Sequence, residues 1–327
     1  MTSNINDKII RKNFEDNNYF GYEKGSIFFF QQGLEPCISL DEKLIIESPD
    51  SLAMAPDGNG GVYDALRKSG ALKNMCTRGI KHLHIYGIDN VLTKSADPLF
   101  IGACIERNVQ VGNKVVWRAS QSEKVGTTVS VNGKMKIIEY TEIPSHLAEA
   151  TDSNGKFVFG AANICNHYLS VDFLETIIPT IQRFYHLAAK KIPYYDHKAK
   201  RLVKPDSNNG VKLEMFIFDI FPRADRWLVA EVLREDEFAP VKNASGAKSD
   251  SPDTARVLVA AQAKRWLENA GASVTVRSKS EALCEIDAAV SYSGEGLEKY
   301  SGQVLPLPTY IKSADPTTNA ICSCSVQ

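Results

Sequence analysis

A glycine-rich stretch is the first place where this sequence could do chemistry. Met54–Gly61 reads M-A-P-D-G-N-G-G and leads into the helix-like Val62–Leu66. Three glycines within four residues let the backbone turn tightly and approach a ligand without interference from Cβ atoms. A glycine-rich loop that enters a helix can offer N–H groups to a phosphate or to the edge of a flat base. An ordinary turn is the alternative, because neither the Walker pattern nor the dinucleotide fingerprint is matched.

A carboxylate and two lysines could complete a phosphate site. Asp89 follows the apolar, strand-like run His82–Ile88, and a carboxylate at a strand's end can hold Mg²⁺ against substrate phosphates. A capping or turn role for Asp89 is equally open. Lys212 and Lys242 could act as point charges on phosphate. Most lysines are solvated, however, and the acidic residues 235–237 near Lys242 equally indicate a solvated face or a structural ion pair.

Several other chemistries are not indicated. The six histidines show no H-E-x-x-H spacing, and no G-x-S-x-G nucleophile elbow is present. The seven cysteines are an odd number without a C-x-x-C pair, which argues against a disulfide framework or a structural zinc site. We expect reduced, mostly buried thiols of a cytoplasmic protein.

Composition excludes further classes. The 327 residues include 38 Lys and Arg and 39 Asp and Glu, for a formal net charge of −1. A generic nucleic-acid binder is not expected, because no basic excess is available to neutralise a phosphate chain. No apolar run approaches the roughly 20 residues that span a bilayer, and no signal peptide is seen at the start, so no membrane association is expected.

The elements that must position these residues alternate between strand-like and helix-like segments, which favours an α/β domain with a mostly parallel sheet. Ligands bind such sheets beyond the strands' carboxyl ends. Asn132-Gly133 predicts a hairpin turn. Ser170 can cap a helix whose apolar face runs to Ala188, with a kink or break expected at Pro179. The other segments predicted as strands are Ser26–Phe30, Lys114–Trp117, Thr127–Val131, Met135–Tyr140, Lys156–Ala161, Phe216–Phe221 and Leu228–Leu233.

A polar, small-residue segment, Asn243–Ser251, predicts a domain boundary. Pro252 then opens a helix that Gly271 stops. Short β-like pieces follow at Ser273–Val276 and Leu283–Val290. We therefore expect a large α/β domain over residues 1–250 and a small C-terminal α+β appendage over residues 251–327.

Taken in order, the motifs closely resemble eukaryotic UDP-N-acetylglucosamine pyrophosphorylases, also called UDP-N-acetylhexosamine pyrophosphorylases. The resemblance runs from residue 1 to about residue 271 and resumes at residues 291–300. It is carried by M-A-P-D-G-N-G-G, I-F-F-F-Q-Q-G at 27–33, I-D-N at 88–90, I-I-E-Y-T-E-I at 137–143, A-N-I-C-N-H at 162–167, K-K-I-P-Y at 190–194, F-I-F-D-I-F at 216–221 and L-R-E-D-E-F-A-P-V-K-N at 233–243.

The resemblance implies a Rossmann-like nucleotidyltransferase domain with a mixed sheet, and a cytoplasmic uridylyltransferase of amino-sugar metabolism. UTP and N-acetylglucosamine-1-phosphate would give UDP-N-acetylglucosamine and pyrophosphate, with Mg²⁺ as cofactor. The sugar-phosphate oxygen would attack the α-phosphorus in line. Positioning and charge neutralisation would supply most of the catalysis.

The resemblance also assigns site residues. Asp89 and Lys242 would be catalytic, with Asp89 at the metal and Lys242 on the substrate phosphates. Gln32 would bind uracil, and Gly58, Asp89 and Lys212 would complete the nucleotide site. The residues expected at the sugar and its acetamido group are Asn59, Gly126, Glu139, Tyr140, Asn163, Phe216 and Phe218.

One departure from the family pattern bears on activity. The family's N-terminal G-G-x-G-T-R-L-G loop and the Pro-Lys that follows it are not found, and Met1-Thr2-Ser3 lines up with an internal M-T-S. We therefore expect the first strand, its loop and the helix behind it to be missing, through a truncated gene model or in a short paralogue. On this expectation the chain as written is inactive or poorly stable.

Two alternative functions are considered at this stage. A catalytically inactive UDP-sugar-binding fragment or paralogue would explain the missing loop. A Rossmann dehydrogenase is disfavoured, because its fingerprint is not present. The choice between N-acetylglucosamine and N-acetylgalactosamine and the oligomeric state cannot be read from one sequence.

Overall fold

A computed structural model describes residues 1–275 and 283–313 as a mixed α/β structure. The α-helices are α1 Asp7–Asp16, α2 Val62–Lys68, α3 Ala71–Thr77, α4 Pro98–Glu106, α5 Ser145–Ala148, α6 Val171–Ile177, α7 Arg234–Glu237 and α8 Pro252–Asn269. The strands are β1 Leu34–Pro36, β2 Ile38–Ser39, β3 Ile46–Ser48, β4 Ser51–Leu52, β5 Met54–Pro56, β6 His82–Tyr86, β7 Val111–Trp117, β8 Thr127–Val131, β9 Lys134–Ile138, β10 Ala161–Ser170, β11 His186–Lys190, β12 Tyr194–Asp196, β13 Arg201–Val203, β14 Gly210–Glu214, β15 Trp227–Glu231, β16 Ser273–Thr275, β17 Cys284–Ile286, β18 Val304–Pro306 and β19 Thr309–Ile311.

The central sheet has six strands in the order β15-β7-β10-β8-β9, with β6 paired to the second half of β10. Only β15 and β7 are parallel neighbours in this sheet, and the other pairs are antiparallel. The mixed α/β fold is therefore confirmed. The expectation of mostly parallel pairing is wrong, because β10 inserts against the direction of both β6 and β7. The alternation of elements along the chain does not reveal such an insertion.

The hairpin between β8 and β9 is confirmed. Asn132 and Gly133 both have left-handed backbone angles, with φ of 51° and 75°. A two-residue turn of this kind matches the twist of the flanking strands. It sets the register in which Thr127 lies opposite Ile138, so Glu139 follows directly at the end of the sheet.

Helix α6 begins as predicted and ends early. The Ser170 hydroxyl accepts a hydrogen bond from the Phe173 amide at 3.3 Å. The helix stops at Ile177, and a 3₁₀ turn containing Pro179 follows. The break at Pro179 is confirmed, whereas the continuation of the helical face to Ala188 is wrong, because the chain re-enters a sheet at β11.

Two other strand predictions are wrong. Ser26–Phe30 forms no ladder, Phe28 is 45% exposed, and a single parallel bridge joins Thr2 to Gln31 just beyond it. The strand predicted at Lys156–Ala161 begins only at Ala161 and runs on to Ser170. Apolar and aromatic composition alone does not separate a strand from an irregular segment that packs one or two rings.

The main core lies against the central sheet. Its buried members come from α2, α3, α6, β7, β9, β10 and the segment after β14: Val62, Tyr63, Leu66, Ala71, Val111, Met135, Ile137, Leu169, Phe173, Leu174, Ile177, Ile178, Ile217, Phe218, Ile220, Phe221 and Ala224. This core fixes the ends of β6, β9 and β10, from which the candidate site is built.

The C-terminal helix begins where it was predicted. Pro252 is its first residue, and the Ser251 hydroxyl caps it by accepting from the Thr254 amide at 3.3 Å. A separate apolar cluster lies between α8 and β16–β19: Ala260, Ala263, Leu267, Ala272, Cys284, Leu297, Leu307 and Ile311. Of the predicted β pieces, Ser273–Thr275 and Cys284–Ile286 are strands, and Val276 lies outside the described residues. The division at residue 250 stays a prediction.

Two global properties can be read from the described part of the chain. Five cysteines there are free thiols, namely Cys37, Cys76, Cys104, Cys165 and Cys284. Cys322 and Cys324 lie outside the described residues. None of the described helices combines the length and apolar character needed to cross a lipid bilayer.

Candidate functional site

The glycine-rich loop is fastened to the segment that follows β14. The Met215 amide donates to the Asp57 carbonyl at 2.8 Å, and the Gly60 amide donates to the Met215 carbonyl at 2.8 Å. The Asn59 side-chain oxygen accepts from the Ile217 amide at 2.9 Å. The expectation that this loop leaves its N–H groups free is therefore wrong for Gly60 and Gly61, since the Gly61 amide also donates inward, to the Gly58 carbonyl at 3.2 Å.

The same packing explains why glycines stand here. A Cβ on Gly60 would lie 2.7 Å from the backbone of Met215 and Phe216, and one on Gly58 would lie 2.4 Å from the Met215 carbonyl oxygen. Gly58 also has a φ of +84°, which disfavours any other residue. At least part of the glycine requirement therefore comes from backbone lying on backbone within the protein.

Gln32 and Asp57 lie together beneath this loop. The Gln32 amide nitrogen is 3.4 Å from Asp57 Oδ1 and 3.5 Å from the Gly58 carbonyl oxygen. Both acceptors belong to the protein, so the Gln32 side-chain oxygen is the atom left to accept from a ligand. Asp57 is only 4% exposed, and its burial raises the pKa of the carboxyl.

Asp89 lies in the loop after β6, against the middle of β10. The Gly87 amide donates to the Cys165 carbonyl at 3.0 Å, and a Cβ on Gly87 would lie 2.6 Å from Asp89 Oδ1. The Asp89 carbonyl accepts from the Val241 amide at 2.8 Å. Asp89 and Lys242 are thus brought together by a backbone contact one residue before the lysine.

Glu139 lies at the end of β9, facing the start of β8 and β10. A Cβ on Gly126 would approach Glu139 Oε1 to 3.0 Å, so this glycine makes room for the carboxylate. The Asn163 amide donates to the Gly126 carbonyl at 2.8 Å. Burial, followed by the neighbouring Glu142 carboxylate, raises the pKa of Glu139. Tyr140, the next residue, is 45% exposed.

Cys165 marks the point where these groups converge. The register of β10 against β7 shifts between Asn163 and His167, and Cys165 has a left-handed φ of 53°. Bulges of this kind often re-aim side chains next to functional sites. The pKa of the Cys165 thiol is raised to about 11, mainly by burial; the Asp89 and Glu139 carboxylates contribute to the rise, and Lys242 opposes it. Asp89, Glu139 and Lys242 therefore act electrostatically on one buried group.

The two predicted aromatic residues do not lie on a strand. Phe216 precedes a 3₁₀ helix of residues 217–223, so the strand predicted at Phe216–Phe221 is wrong. Asp219 Oδ2 accepts from the Phe216 amide at 2.8 Å and turns the chain into that helix. The Phe216 and Phe218 rings are 5.1 Å apart at an angle of 33°. Alternating aromatic residues imitate a strand pattern, and Asp219, which follows Phe218 directly, is the signal against it.

His186 is a site residue that the sequence patterns did not single out. Its Nδ1 is 3.2 Å from Glu142 Oε1, and its Nε2 is 3.0 Å from Asp219 Oδ1. Its ring lies 4.2 Å from the Phe216 ring. Glu142 and Asp219 stand inside the matched motifs, but nothing around His186 distinguishes it from a core or surface histidine.

A cavity of about 310 Å³ opens beside Phe216 and Asp219, and Gly60 and Tyr63 are among its other lining residues. Asp89, Glu139 and Lys242 are not among its lining residues. The cavity therefore adjoins the glycine-rich loop and the aromatic pair, and it does not enclose the predicted phosphate end.

A buried lysine supports the segment that leads to Lys242. Lys114 is 1% exposed, and its ammonium group contacts the carboxylates of Asp97 and Glu237. Asp236 pairs with Arg265 at 2.7 Å. The ion-pair interpretation is therefore confirmed for Asp236 and Glu237, whereas Glu235 is exposed to solvent, and the pairs hold the chain just before residue 240.

Among the described residues, no contact joins Lys212 to Asp89, Glu139 or Lys242. Lys212 stands on β14 opposite Ala188. Burial raises the pKa of the Cys37 thiol, and the positive charge of Lys212 opposes that rise to a smaller extent. Through β14 it is connected to Met215 and the glycine-rich loop. Its role on the nucleotide phosphates stays a prediction.

The side chains near Asp89 determine whether Mg²⁺ could bind there. Within residues 1–275 and 283–313, no group of three His, Cys, Asp or Glu side chains could hold a metal ion by itself. Asp89 offers one partly exposed carboxylate beside Gly87. Mg²⁺ commonly uses one or two carboxylates together with phosphate oxygens and water, so Asp89 fits a cation that arrives with a phosphorylated substrate.

Comparisons with known proteins identify the family to which the chain belongs. A family profile described as UTP--glucose-1-phosphate uridylyltransferase matches residues 1–293. The chain is 42% identical over 333 residues to the UDP-N-acetylhexosamine pyrophosphorylase-like protein 1 of Xenopus tropicalis, covering 96% of this chain and 65% of that protein. It is 43% identical over 304 residues to the UDP-N-acetylglucosamine diphosphorylase 2 of Arabidopsis thaliana, covering 91% and 59%.

A solved structure shows the same fold. The crystal structure of the uridine diphosphate N-acetylglucosamine pyrophosphorylase from Trypanosoma brucei, in complex with an inhibitor, has a TM-score of 0.79 to this chain at 32% identity. The match covers 95% of this chain and 66% of that one. The chain thus spans about three-fifths of the length of the curated relatives.

Proposed function

Because the chain belongs to the UTP--glucose-1-phosphate uridylyltransferase family, we propose that it acts as a uridylyltransferase that forms UDP-N-acetylglucosamine. The substrates are UTP and an N-acetylhexosamine-1-phosphate, and the second product is pyrophosphate. The single observation that carries this proposal is that backbone contacts bring the segments of Asp89, Glu139 and Lys242 to the bulge of β10. Gly87 bonds Cys165, Val241 bonds Asp89, and Gly126, which lies against Glu139, bonds Asn163. One cationic and two acidic groups at one sheet end suit a substrate with phosphates on one side and sugar hydroxyls on the other.

The sugar end is supported by Glu139 and its neighbours. The Glu139 carboxylate, for which Gly126 leaves space, accepts hydrogen bonds from sugar hydroxyls. Asn163 and Asn59 contribute the nitrogens of their side-chain amides, because the Asn163 oxygen accepts from the Cys165 amide at 3.1 Å and the Asn59 oxygen from the Ile217 amide at 2.9 Å. The ring of Phe216, which lines the cavity, offers apolar surface that suits the methyl group of an N-acetyl substituent, and the buried Phe218 packs behind it at 5.1 Å. Tyr140 completes the sugar contacts from the exposed side.

The nucleotide end is supported by Gln32 and Gly58. The Gln32 side-chain oxygen accepts from the N–H of uracil, since its nitrogen is turned to Asp57 and Gly58. The glycine loop brings its backbone close to the base. Lys212 contributes positive charge from β14, the strand that leads to Met215 and so to the glycine-rich loop.

In the reaction, an oxygen of the sugar phosphate attacks the α-phosphorus of UTP in line. The new phosphorus–oxygen bond forms while the bond to the β-phosphate oxygen breaks, and pyrophosphate leaves. Lys242 neutralises charge that builds on the transferring phosphate, and groups placed in this way commonly contribute about 3–4 kcal/mol to the barrier. Asp89 holds Mg²⁺, which supplies additional positive charge when bound.

Equilibrium binding and product release test the proposal. Isothermal titration with UDP-N-acetylglucosamine, UDP-N-acetylgalactosamine, UDP-glucose and UDP should show tighter binding of an N-acetylated sugar nucleotide than of UDP-glucose. A coupled pyrophosphate-release assay on the 327-residue chain then separates turnover from binding alone. Equal affinity for UDP-glucose and the N-acetylated ligands contradicts the proposed substrate class, and binding without pyrophosphate release contradicts the transferase activity.

The predicted cytoplasmic location accompanies this proposal. It is supported by the free thiols among the described cysteines, since reduced cysteines are typical of that compartment. Fractionation of cells that express the tagged chain would check it.

A further inference from the structure

His186 occupies a junction between three segments of the chain. It lies on β11, and its side chain is 26% exposed. One ring nitrogen meets Glu142, the other meets Asp219, and the ring face lies on Phe216. The two carboxylates approach the imidazole from opposite ring nitrogens, so one side chain ties together elements that are far apart in sequence.

Each partner of His186 leads directly to a residue of the proposed sugar site. The Glu142 amide donates to the Glu139 carbonyl at 2.9 Å and closes a turn. Asp219 accepts from the Phe216 amide at 2.8 Å. The chain of contacts therefore runs from Glu139 through Glu142, His186 and Asp219 to Phe216, and it joins the two walls of that site.

The chemistry of imidazole suits this position. A ring with two nitrogens can meet two carboxylates while its face stacks on an aromatic ring. Glu139 and Glu214 lie nearby, the latter directly opposite His186 across β11 and β14. Without the histidine, Glu142 and Asp219 would face one another and Glu139 with no intervening donor, and like charges at short range repel.

We propose that His186 is a positioning residue that fixes the separation between Glu139 and Phe216 and so sets the affinity for the sugar part of the substrate. The proposal rests on the function proposed above. It assigns His186 no contact with substrate. The uracil-binding side chain of Gln32 is held by Asp57 and the Gly58 carbonyl, in hydrogen bonds that include neither His186 nor its two carboxylate partners.

The sugar contribution to binding is the quantity to measure. It is the ratio of the dissociation constant for UDP to that for UDP-N-acetylglucosamine, obtained by isothermal titration. In His186→Ala this ratio should fall roughly tenfold, the effect of weakening about one hydrogen bond. The affinity for UDP itself should stay within about twofold, which also reports that the variant is folded.

Two comparisons make the test specific. His197→Ala removes an exposed histidine near the β12–β13 hairpin and should leave the ratio unchanged. A double-mutant cycle combines His186→Ala with Glu142→Ala, whose effects on the ratio should be strongly non-additive because both break the same link.

The outcomes separate this proposal from the function itself. A wild-type chain that binds UDP and UDP-N-acetylglucosamine equally overturns both. A wild-type chain that prefers the sugar nucleotide, with the same preference in His186→Ala, overturns the role of His186 alone. Additive effects in the double-mutant cycle overturn the link through Glu142.

Discussion

The backbone carbonyl of Asp89 accepts a hydrogen bond from the amide of Val241 at 2.8 Å. This contact joins the end of β6 to the segment that carries Lys242, more than 150 residues later in the chain. Asn90 reinforces it, because its side chain donates to the Glu237 carbonyl at 2.7 Å and accepts from the Ala239 amide at 2.8 Å. The proposed metal-binding carboxylate and the proposed phosphate-binding lysine are therefore held together by the protein before any ligand arrives.

Substitutions at these two residues should weaken UTP binding by different routes. Asp89→Asn and Lys242→Ala should each raise the dissociation constant for UTP roughly tenfold in Mg²⁺, since each removes one charge from the phosphate end. In EDTA the effect of Asp89→Asn should largely disappear, because its carboxylate acts through the cation. The effect of Lys242→Ala should persist.

Lys248→Ala provides the control for this pair, because Lys248 is exposed in the same loop region as Lys242. Isothermal titration with and without Mg²⁺ measures all three variants. Nucleotide affinities that match the wild type in both Asp89→Asn and Lys242→Ala would contradict the assignment of the site.

Gly60 should tolerate no side chain. A Cβ there would lie 2.7 Å from the backbone of Phe216, and backbone cannot move aside as a flexible side chain does. We expect Gly60→Ala to lower the free energy of unfolding by roughly 2–4 kcal/mol. Gly102→Ala is the matched control, because a Cβ on this exposed residue of α4 meets nothing within 4 Å. It should be neutral or stabilise by up to about 1 kcal/mol. Urea denaturation that finds the two variants equally stable would show that the loop is not packed as described.

His167 should make the fold sensitive to acid. It is fully buried, its Nδ1 is 2.8 Å from Asn113 Oδ1, and its Nε2 has no hydrogen-bond partner among the described residues. Burial lowers the pKa of His167 to about 3, because protonation would place an unpaired charge in the core. The unfolded chain takes up this proton near pH 6.5. Stability is therefore complete above about pH 6.5 and decreases as the pH falls towards 3, with a slope of up to about 1.4 kcal/mol per pH unit.

His167→Gln should remove that part of the slope, whatever it does to the stability at pH 7. His197→Gln replaces an exposed histidine and should keep the slope of the wild type. Urea denaturation at a series of pH values between 7 and about 4 gives the comparison. Parallel curves for wild type and His167→Gln would argue against a buried neutral histidine.

The ionised Glu139 side chain should lower the stability of the fold at pH 7 while it strengthens binding of the sugar nucleotide. Its pKa is raised by burial and by Glu142, so the ionised form is less favourable in the folded chain than in the unfolded one. Glu139 contributes to stability when it is protonated, at a pH below its pKa in the unfolded chain. This contribution is lost as the pH rises through its pKa in the folded chain. Glu139→Gln should therefore raise the melting temperature at pH 7, by roughly 1–3 °C, while it weakens binding of UDP-N-acetylglucosamine.

The same shift predicts a pH dependence of sugar binding. If the carboxylate accepts from hydroxyls, the preference for UDP-N-acetylglucosamine over UDP should decline on acidification at a pH above the roughly 4.3 of an ordinary glutamate. Glu149→Gln, an exposed change nearby, should keep both the melting temperature and the pH profile. A Glu139→Gln variant with the wild-type preference would remove Glu139 from the sugar site.

Some parts of this structure are local consequences of the sequence. The hairpin at Asn132-Gly133, the cap at Ser170, the break at Pro179 and the start of α8 at Pro252 each depend on one or two residues with strong backbone preferences. Such features can be predicted without knowledge of the rest of the fold.

The parts that could not be predicted depend on distant partners. The direction of β10 is decided by pairing with β6 and β7, and the segment after Phe216 is turned into a 3₁₀ helix by Asp219. The inward bonding of the Gly60 amide needs Met215, more than 150 residues away. His186 has no local pattern, since its importance comes entirely from Glu142 and Asp219.

The register shift in β10 restricts the number of residues in this stretch as well as their identity. Side chains along a strand alternate between the two faces of a sheet, so one deletion or insertion between Asn163 and His167 would exchange the faces on one side of the change. Relatives should therefore keep the number of residues in this stretch unchanged. An alignment gap here would indicate a protein in which β10 pairs with its neighbours in a different register.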